Sequence, residues 1–464
     1  MFGIYGLERA GKMSNPPLTE KQKQMIDFGM KNPYCILAAD PRLGKSRVAI
    51  LMQKMRNVPC LIVAPAYLIT NWKKEINKWA PHASVTMFRK GKDIYDVFDS
   101  DFVITSYDLV QKAEQLFSWA DLVVSDETHH LKAMQSKKAQ FFHRCLFENS
   151  IKYFIGLTGT PIKNRVKEFY SLLALVNYDP KQTDHSFLEK YPDEITFAEQ
   201  FSFSESYDVK VSKGKKTWSM PVVTYKGLKN QKELKKWLVG KYLRLKADAN
   251  DLPPFTYIDT LVSDIDDKKL LDAFNNYFVS DQDVRIYAQQ VKDASGKKMR
   301  ESEIREMRTS STLSEHKKLA AEKKVPFTIK YVENLMESVS CCLVYSDHKE
   351  PIMQIAKHFG VPAITGEMPA TKRAKLVDDF QSGRLNILCA TIGSLKEGAD
   401  LYRAKDVVLS DPSWIPGDIK QVINRTRALG HKEPRTVHRI LGSPQDSKIY
   451  SVLEEKQDTI EKAT

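Results

Sequence analysis

The stretch CILAADPRLGKS (35–46) runs from a short apolar segment into a glycine-lysine-serine turn. CILAA is nearly continuous in apolar side chains, as in strands covered on both faces of a parallel sheet. The next residues, Ser46–Arg56, have helical character. A strand entering a helix through Gly44-Lys45-Ser46 is the core of a phosphate loop. Backbone N–H groups at the helix start face the phosphates, Lys45 reaches the β- and γ-phosphates, and Ser46 holds Mg²⁺. The full GxxxxGK[ST] pattern is not met, because Ala39 stands where its first glycine belongs. A lone Gly-Lys-Ser is a weak signal, and its weight comes from lying between a strand and a helix.

The same alternation extends outward. LIVAPA (61–66), FVIT (102–105), LVVS (122–125) and YFIGLT (153–158) repeat the buried-strand pattern, with helical stretches such as Thr70–Trp79 between them. This is a βαβ series. The pattern returns after Ser338 in CCLVYS (341–346), PAIT (362–365), LNILCA (385–390), VVLS (407–410) and TVHRIL (436–441). Ile352, Ile355, Ala356 and Phe359 fall at helical spacing between the first two. The expected fold class is therefore α/β, with two parallel-sheet lobes carrying helical and hairpin insertions. No tandem repeat is evident. YDVKVSKGKKTWS (207–219) predicts a hairpin turning at Lys213-Gly214-Lys215. From Asp264 to Glu337 the chain is highly charged and helix-prone, which reads as a solvated insertion or as an arm that touches a partner. The expected boundaries are an N-terminal extension at 1–16, lobe 1 at 17–180, an insertion and bridge with the basic hairpin at 181–254, a charged helical insertion at 255–337, and lobe 2 at 338–464.

Composition narrows the class. Of 464 residues, 42% are hydrophobic and 28% charged, which excludes a mainly disordered chain. No apolar run approaches the ~20 residues that span a bilayer. The opening MFGIYGLERAGKMSN lacks the basic-then-apolar order of a secretory signal. The six cysteines form no CxxC pair, and most lie in strand-like runs, so buried free thiols, a reduced cytoplasmic setting and no metal cluster are expected, while the lack of a spanning apolar run leads to the expectation of no membrane partner. The net charge of +13 suits a polyanionic partner, with a merely lysine-rich surface as the alternative.

The fourth predicted strand ends in SDETHH (125–130), about 80 residues after the phosphate loop. Asp126 would bind Mg²⁺ through water and Glu127 would polarise the attacking water, since Mg²⁺ prefers oxygen ligands and the water needs a base. The alternatives are an acidic loop or a zinc site at His129 and His130. Neighbouring residues on a helix point about 100° apart, which disfavours joint ligation. A phosphate loop and an Asp-Glu pair in this order are far stronger together than apart.

With these motifs the chain resembles superfamily 2 helicases, and within them the Swi/Snf-like DNA translocases, over roughly 17–180 and 325–455. Pro17-Leu18 with Gln22 resembles the adenine-reading Q motif. LIVAPAYLITNWKKEINKW (61–79) and ITSYD (104–108) resemble motifs Ia and Ib, and DETHHLK (126–132) the DEAH box. LTGTPIKN (157–164), Glu168 and SLL (171–173) form the most specific stretch. In the second lobe LVYSDH (343–348) is similar to motif IV, and ITGEM (364–368) with Arg373 and DDFQ (378–381) to the family's next segment. ATIGSLKEGADL (390–401) and QVINRTRALGH (421–431) resemble motifs V and VI. YKGLKNQKELKKWLVGKYLRLKADANDLPP (225–254) resembles the bridge of the annealing-helicase branch, and small phage-type branch-migration helicases are also similar. Arg42 replaces the usual small Gly of the phosphate loop, Asp40-Pro41 a Glu-Met type pair, and Ala428 the second motif VI arginine, with Arg427 one position earlier.

The resemblance implies two RecA-like lobes that use ATP and Mg²⁺. Lobe 1 would supply Gln22, Gly44, Lys45, Ser46, Asp126 and Glu127. Lobe 2 would supply Arg425, with Arg427 as a candidate second finger, and the Gly398/Asp400 turn. Hydrolysis would be coupled to closure of the lobes. It also implies sequence-independent DNA contacts from Asn71, Trp72, Thr105, Ser106, Lys163, Asn164 and Thr391. Trp414 reads as an aromatic near DNA or as a core tryptophan. Lys210, Lys213, Lys215, Lys216 and Trp218 make the hairpin a strand-separating pin or a solvated edge. The expected function is an ATP-dependent DNA helicase or translocase acting on branched DNA, forks and Holliday junctions. A duplex translocase that displaces bound proteins and a non-hydrolysing DNA clamp are the alternatives.

Overall fold

The structure is a computed structural model that describes residues 16–463 apart from 150, 163–165, 178–185, 214–215, 249–250, 263–312, 396–399, 414, 429, 442–449, 451–453 and 455–457. Strands β1 (Tyr34–Ala39), β2 (Cys60–Ala64), β3 (Val85–Met87), β4 (Phe102–Ser106), β5 (Leu122–Asp126) and β6 (Tyr153–Thr158) come first along the chain. A hairpin of β7 (Phe203–Lys213) and β8 (Lys216–Lys226) is next, then β9 (Tyr242–Leu245) and β10 (Phe255–Leu261). The last five are β11 (Cys342–Ser346), β12 (Ala363–Ile364), β13 (Ile387–Thr391), β14 (Asp406–Leu409) and β15 (Arg435–Leu441). Two compact units result. One holds the described parts of 1–201, 228–252 and 460–464, and the other those of 202–227 and 253–459.

The first unit is built on a seven-stranded sheet in the order β3-β4-β2-β5-β6-β1-β9, parallel throughout. Every residue of β1, β2, β4 and β5 is buried, which is why these segments read as continuous apolar runs. The period of two still sorts side chains between two cores. Tyr34, Ile36 and Ala38 of β1 enter one, and Cys35, Leu37 and Ala39 the other. The flanking helices obey the 3.6-residue period. In α1 (Glu20–Lys31) the Thr19 hydroxyl accepts from Gln22 N, and Thr19 N donates to the Gln22 side chain, a reciprocal capping box. The helix α2 (Lys45–Arg56) comes directly after β1, and α3 (Ile69–Trp79) buries Ile69, Trp72, Ile76 and Trp79 on one face. Because all strands run one way, the segments after β1, β5 and β6 emerge at the same sheet edge.

The stretch 181–254 is shared between the units. Its helices Ser186–Lys190, Glu194–Phe201 and Gln231–Leu238, with Tyr191 just after the first, pack Phe187, Tyr191, Phe197, Phe201 and Leu234 into a core of the first unit. Its strand β9 extends the first sheet beside β1, pairing Leu37 with Leu243 and Ala39 with Leu245. The hairpin is longer than the sequence suggested, with Phe203 opposite Lys226 at its base and Lys213 opposite Lys216 at its far end.

The second unit carries a six-stranded parallel sheet in the order β10-β15-β14-β11-β13-β12. The helix Leu313–Met336, which ends the stretch read as a solvated insertion or an arm that touches a partner, packs into the second unit. It buries Val325 and Val332 against Cys342, Val344, Ile352 and Ile355, and its fully buried Lys324 donates to the Ile440 carbonyl at 3.2 Å. The rest of the charged stretch, 263–312, lies outside the described residues. All six cysteines are buried free thiols, and burial pushes Cys35 up to about 12. No helix among the described residues is long and apolar enough to cross a membrane.

Candidate nucleotide site and nucleic-acid interface

The phosphate loop leaves β1 at Ala39 and enters α2 at Lys45. Gly44 is the N-cap of α2, with φ 81°, and no side chain caps the first turn. Uncapped amides at a helix start suit an anion. Arg42 also lies in the left-handed region, with φ 73°, at the position where the resembling family carries a glycine. The loop thus keeps a glycine-like backbone under an arginine side chain. Lys45 is partly buried, and its Nζ donates to the carbonyls of Ala39 at 2.8 Å and Asp40 at 3.3 Å. Burial holds the Lys45 ammonium below the usual lysine range, opposed by the charges of Glu127, Asp126 and Asp40.

Gln22 is buried against this loop. Its Nε2 donates to Leu43 O at 3.3 Å, and a Cβ on Gly44 would lie 2.2 Å from that nitrogen. Arg47 Nη1 donates to Gln22 Oε1 at 3.3 Å, and the Arg47 guanidinium sits 4.1 Å from the centre of the Trp79 ring. The helix α1, the loop and the start of α2 are therefore one packed unit.

Asp126 ends β5. Its Oδ2 accepts from Trp72 Nε1 at 2.8 Å, its Oδ1 from Glu127 N at 2.9 Å, and its carbonyl from the Tyr107 hydroxyl at 2.7 Å. Burial, then the neighbouring Glu127 charge, raises the Asp126 carboxyl to about 6, opposed by the Trp72 hydrogen bond and Lys45. Glu127 has φ 49°, the left-handed region again, a strain that clusters at functional sites. His129 Nδ1 lies 3.2 Å from Glu127 Oε2 and 3.2 Å from Thr158 Oγ1, and Thr158 Oγ1 accepts from Thr160 N at 3.1 Å. The Asp-Glu turn is thereby joined to the TGTP turn after β6. The two histidines do not diverge as helical neighbours would. They sit in a 3₁₀ turn, Thr128–Leu131, and stack at 5.0 Å and 25°, with His130 also stacked on Tyr107 at 5.6 Å. Among the described residues no group of three or more His, Cys, Asp and Glu could hold a metal ion.

These residues fit a magnesium nucleotide. Ser46 and Asp126 would offer the hard oxygen ligands that Mg²⁺ prefers, and the uncapped amides with Lys45 suit phosphate oxygens.

The residues expected at DNA divide. Asn71 is exposed on α3, and Thr391 is half-buried at the end of β13. Trp72 is a correction: at 1% exposure it lies in the core, and its ring nitrogen serves Asp126. Thr105 and Ser106 are buried too. The Thr105 hydroxyl donates to Phe88 O at 3.2 Å, and Ser106 Oγ accepts from Leu109 N at 3.2 Å. Lys213 and Lys216 face each other in the backbone register at the end of the hairpin. Lys163, Asn164, Lys215, Gly398 and Trp414 lie outside the described residues.

In the second unit Arg425 caps the helix Pro416–Asn424, and its carbonyl accepts from Leu401 N at 2.9 Å, next to Asp400. Arg427 Nη1 donates to Asn424 Oδ1 at 3.2 Å, with its guanidinium 4.5 Å from the centre of the Phe255 ring. Three further residues organise these segments: Tyr107 of the ITSYD stretch and Arg244 of the 225–254 bridge, to which the sequence analysis assigned no role, and Arg435, which lay in no motif. Tyr107 braces Asp126. Arg435, 1% exposed, pins the motif VI turn by donating to Thr426 O at 2.9 Å. Arg244 of β9 grips the phosphate loop through Asp40 at 2.7 Å.

Two parallel α/β units, with a phosphate loop, an Asp-Glu turn and a TGTP turn on one sheet edge, define the core of a superfamily 2 helicase-like ATPase. Residues 19–258 match the SNF2-related domain and residues 323–430 the helicase conserved C-terminal domain. The chain belongs to the SNF2-related family. It is 24% identical over 457 residues to the SWI/SNF-related matrix-associated actin-dependent regulator of chromatin subfamily A-like protein 1 of Xenopus tropicalis, covering 94% of this chain and 44% of that one. It is 23% identical over 438 residues to the CHD3-type chromatin-remodeling factor CHR7 of Arabidopsis thaliana, covering 89% and 34%. The chain thus spans less than half the length of these curated relatives. Among solved structures, the Sulfolobus solfataricus SWI2/SNF2 ATPase core in complex with dsDNA is 20% identical with a TM-score of 0.41, covering 96% of this chain and 92% of that one.

Proposed function

We propose that this chain is a DNA-dependent ATPase that moves along DNA and remodels branched substrates by branch migration and fork reversal, with limited unwinding. The observation that carries the reading is that Lys45 follows β1 while Asp126 and Glu127 lie at the end of β5, the strands on either side of β6 in one parallel sheet, with both carboxylates favouring the Lys45 ammonium against its burial. Magnesium-bound ATP supplies the transferable phosphoryl group. Lys45 and the amides at the start of α2 bind the phosphates, while Ser46 and Asp126 hold the metal. Glu127 orients the attacking water and takes its proton. Arg425 stabilises charge on the phosphoryl group, and Arg427 has the secondary role, since Phe255 and Asn424 hold it. Asp400 and Gly398 serve nucleotide binding in the second unit.

DNA contacts are assigned to Asn71, Thr391, Lys163, Asn164 and Trp414, with Lys213, Lys215 and Lys216 on the hairpin. Uncoded backbone contacts suit a motor that moves along any sequence, and the net charge of +13 suits a polyanion. The preference for branches is supported by the Tyr-x-Gly and Leu-Pro-Pro features of the bridge at 225–254 and by the long basic hairpin. A repair context is in keeping with a further relative, the DNA excision repair protein ERCC-6-like of Danio rerio, 24% identical over 490 residues. The test is a mobile four-way junction incubated with ATP and either wild type or Glu127→Gln. Conversion to separated arms by the wild type alone supports the reading. Equal inactivity of both on the junction, with ATP-driven displacement of a protein from plain duplex by the wild type, assigns the chain to duplex translocation instead.

A further inference from the structure

Asp40 is the meeting point of two sets of interactions. Its backbone carbonyl, with that of Ala39, accepts from Lys45 Nζ. Its carboxylate faces β9 and the segment after it, where Oδ1 accepts from Arg244 Nη2 at 2.7 Å and Oδ2 from Ala247 N at 3.0 Å. The pair is largely shielded, with side-chain exposures of 13% for Arg244 and 12% for Asp40. Arg244 is itself fixed, since its Nη1 donates to Ala38 O and Leu245 O, both at 3.0 Å. The segment after β9 is anchored as well, because Lys21 of α1 bonds to Asp248 and Asp251. The charges of Asp40 and Arg244 both reach Lys45, with opposite sign.

A carboxylate beside the lysine that binds phosphate is a competing anion. Left unpaired in a shielded loop, it would draw the Lys45 ammonium to itself. We propose that Arg244 is a positioning residue for nucleotide binding, which engages the Asp40 carboxylate so that Lys45 is left to the phosphates. This rests on the reading of Lys45 as a phosphate ligand. Arg244 touches the loop from an edge strand about 200 residues away in sequence and has no contact with nucleotide in this role.

The test is calorimetric titration of the full chain with magnesium and ATP, with thermal unfolding recorded for each variant. Arg244→Gln is expected to weaken ATP binding about tenfold, and Asp40→Asn/Arg244→Gln to recover it to within about threefold of wild type, because the competing anion is gone. A purely structural pair gives no such recovery, so equal weakening in the single and double variants overturns the proposal, as does wild-type affinity in Arg244→Gln. Should Arg244→Gln fail to fold, Asp40→Asn alone decides: affinity equal to or tighter than wild type supports the proposal, and weaker affinity overturns it. Lys45→Ala is the separate control. If it binds ATP as tightly as wild type, the phosphate-loop reading falls and the proposal with it. If it does not, the Arg244 results bear on the proposal alone.

Discussion

The indole nitrogen of Trp72 donates to Asp126 Oδ2 at 2.8 Å, so a tryptophan from the helix after β2 fixes the carboxylate that ends β5. The bond spans 54 residues and lies in the buried interior. Trp72→Phe keeps an aromatic ring in the core, at some loss of packing, and removes the donor; a hydrogen bond to a charged group contributes about 1.5–3 kcal/mol. ATP hydrolysis is expected to fall about tenfold or more, with nucleotide-free DNA affinity changed less than about twofold. A filter-binding titration beside a steady-state ATPase assay checks both. A large loss of DNA affinity with ATPase intact would return Trp72 to the nucleic-acid surface.

Arg42 holds φ 73° in the phosphate loop. A non-glycine residue in that region costs roughly 1 kcal/mol or more. Arg42→Gly is therefore expected to raise the thermal midpoint by a few degrees with ATP binding retained. A lower midpoint would mean that the side chain contributes more than the strain removes.

Gly44 has no room for a side chain, as a Cβ there would fall 2.2 Å from Gln22 Nε2 at φ 81°. Gly44→Ala must displace Gln22 or the loop. ATP affinity is expected to drop more than about tenfold while far-UV circular dichroism stays native. Unchanged affinity would show that Gln22 is not needed where it stands.

How much of this was legible in the sequence depends on burial. Strands covered on both faces, such as β1, β2, β4 and β5, leave unbroken apolar runs that cannot be missed. Some edge strands do not. The strand β9 reads Tyr-Leu-Arg-Leu, and β10 carries Asp259 with an exposed Tyr257, so both merge with the charged segments around them. At the site, Lys45, Ser46, Asp126 and Glu127 were legible because the chemistry demands those residue types after strands. Arg244, Tyr107 and Arg435 were not, since their partners are brought to them only by the folded sheets. Trp72 carried two signals. The motif pointed to DNA, while its spacing with Ile69, Ile76 and Trp79 marked the buried face, and the spacing prevailed.

His143 gives a pH dependence of known sign. Its Nε2 lies 3.0 Å from Ser171 Oγ, and burial lowers its pKa to about 3, against an ordinary value of 6.5. The folded state keeps the imidazole neutral while the unfolded chain takes up a proton, so this contribution is full above pH 6.5 and is lost as pH falls toward 3. Between pH 7.5 and 5.5 the wild type should lose about 1.4 kcal/mol more unfolding free energy than His143→Gln. Urea unfolding at the two pH values checks it, and parallel losses would show that His143 is not the titrating group.

The proposed function makes Lys45 the centre of a DNA-driven ATPase. Its most direct test is steady-state ATP hydrolysis by wild type and Lys45→Ala, without DNA and with single strands, plain duplex, a fork and a four-way junction at equal nucleotide concentration. Strong stimulation by forks and junctions is expected, with weaker stimulation by plain duplex and none in Lys45→Ala. Wild-type hydrolysis that no DNA stimulates, or that survives in Lys45→Ala, would contradict it.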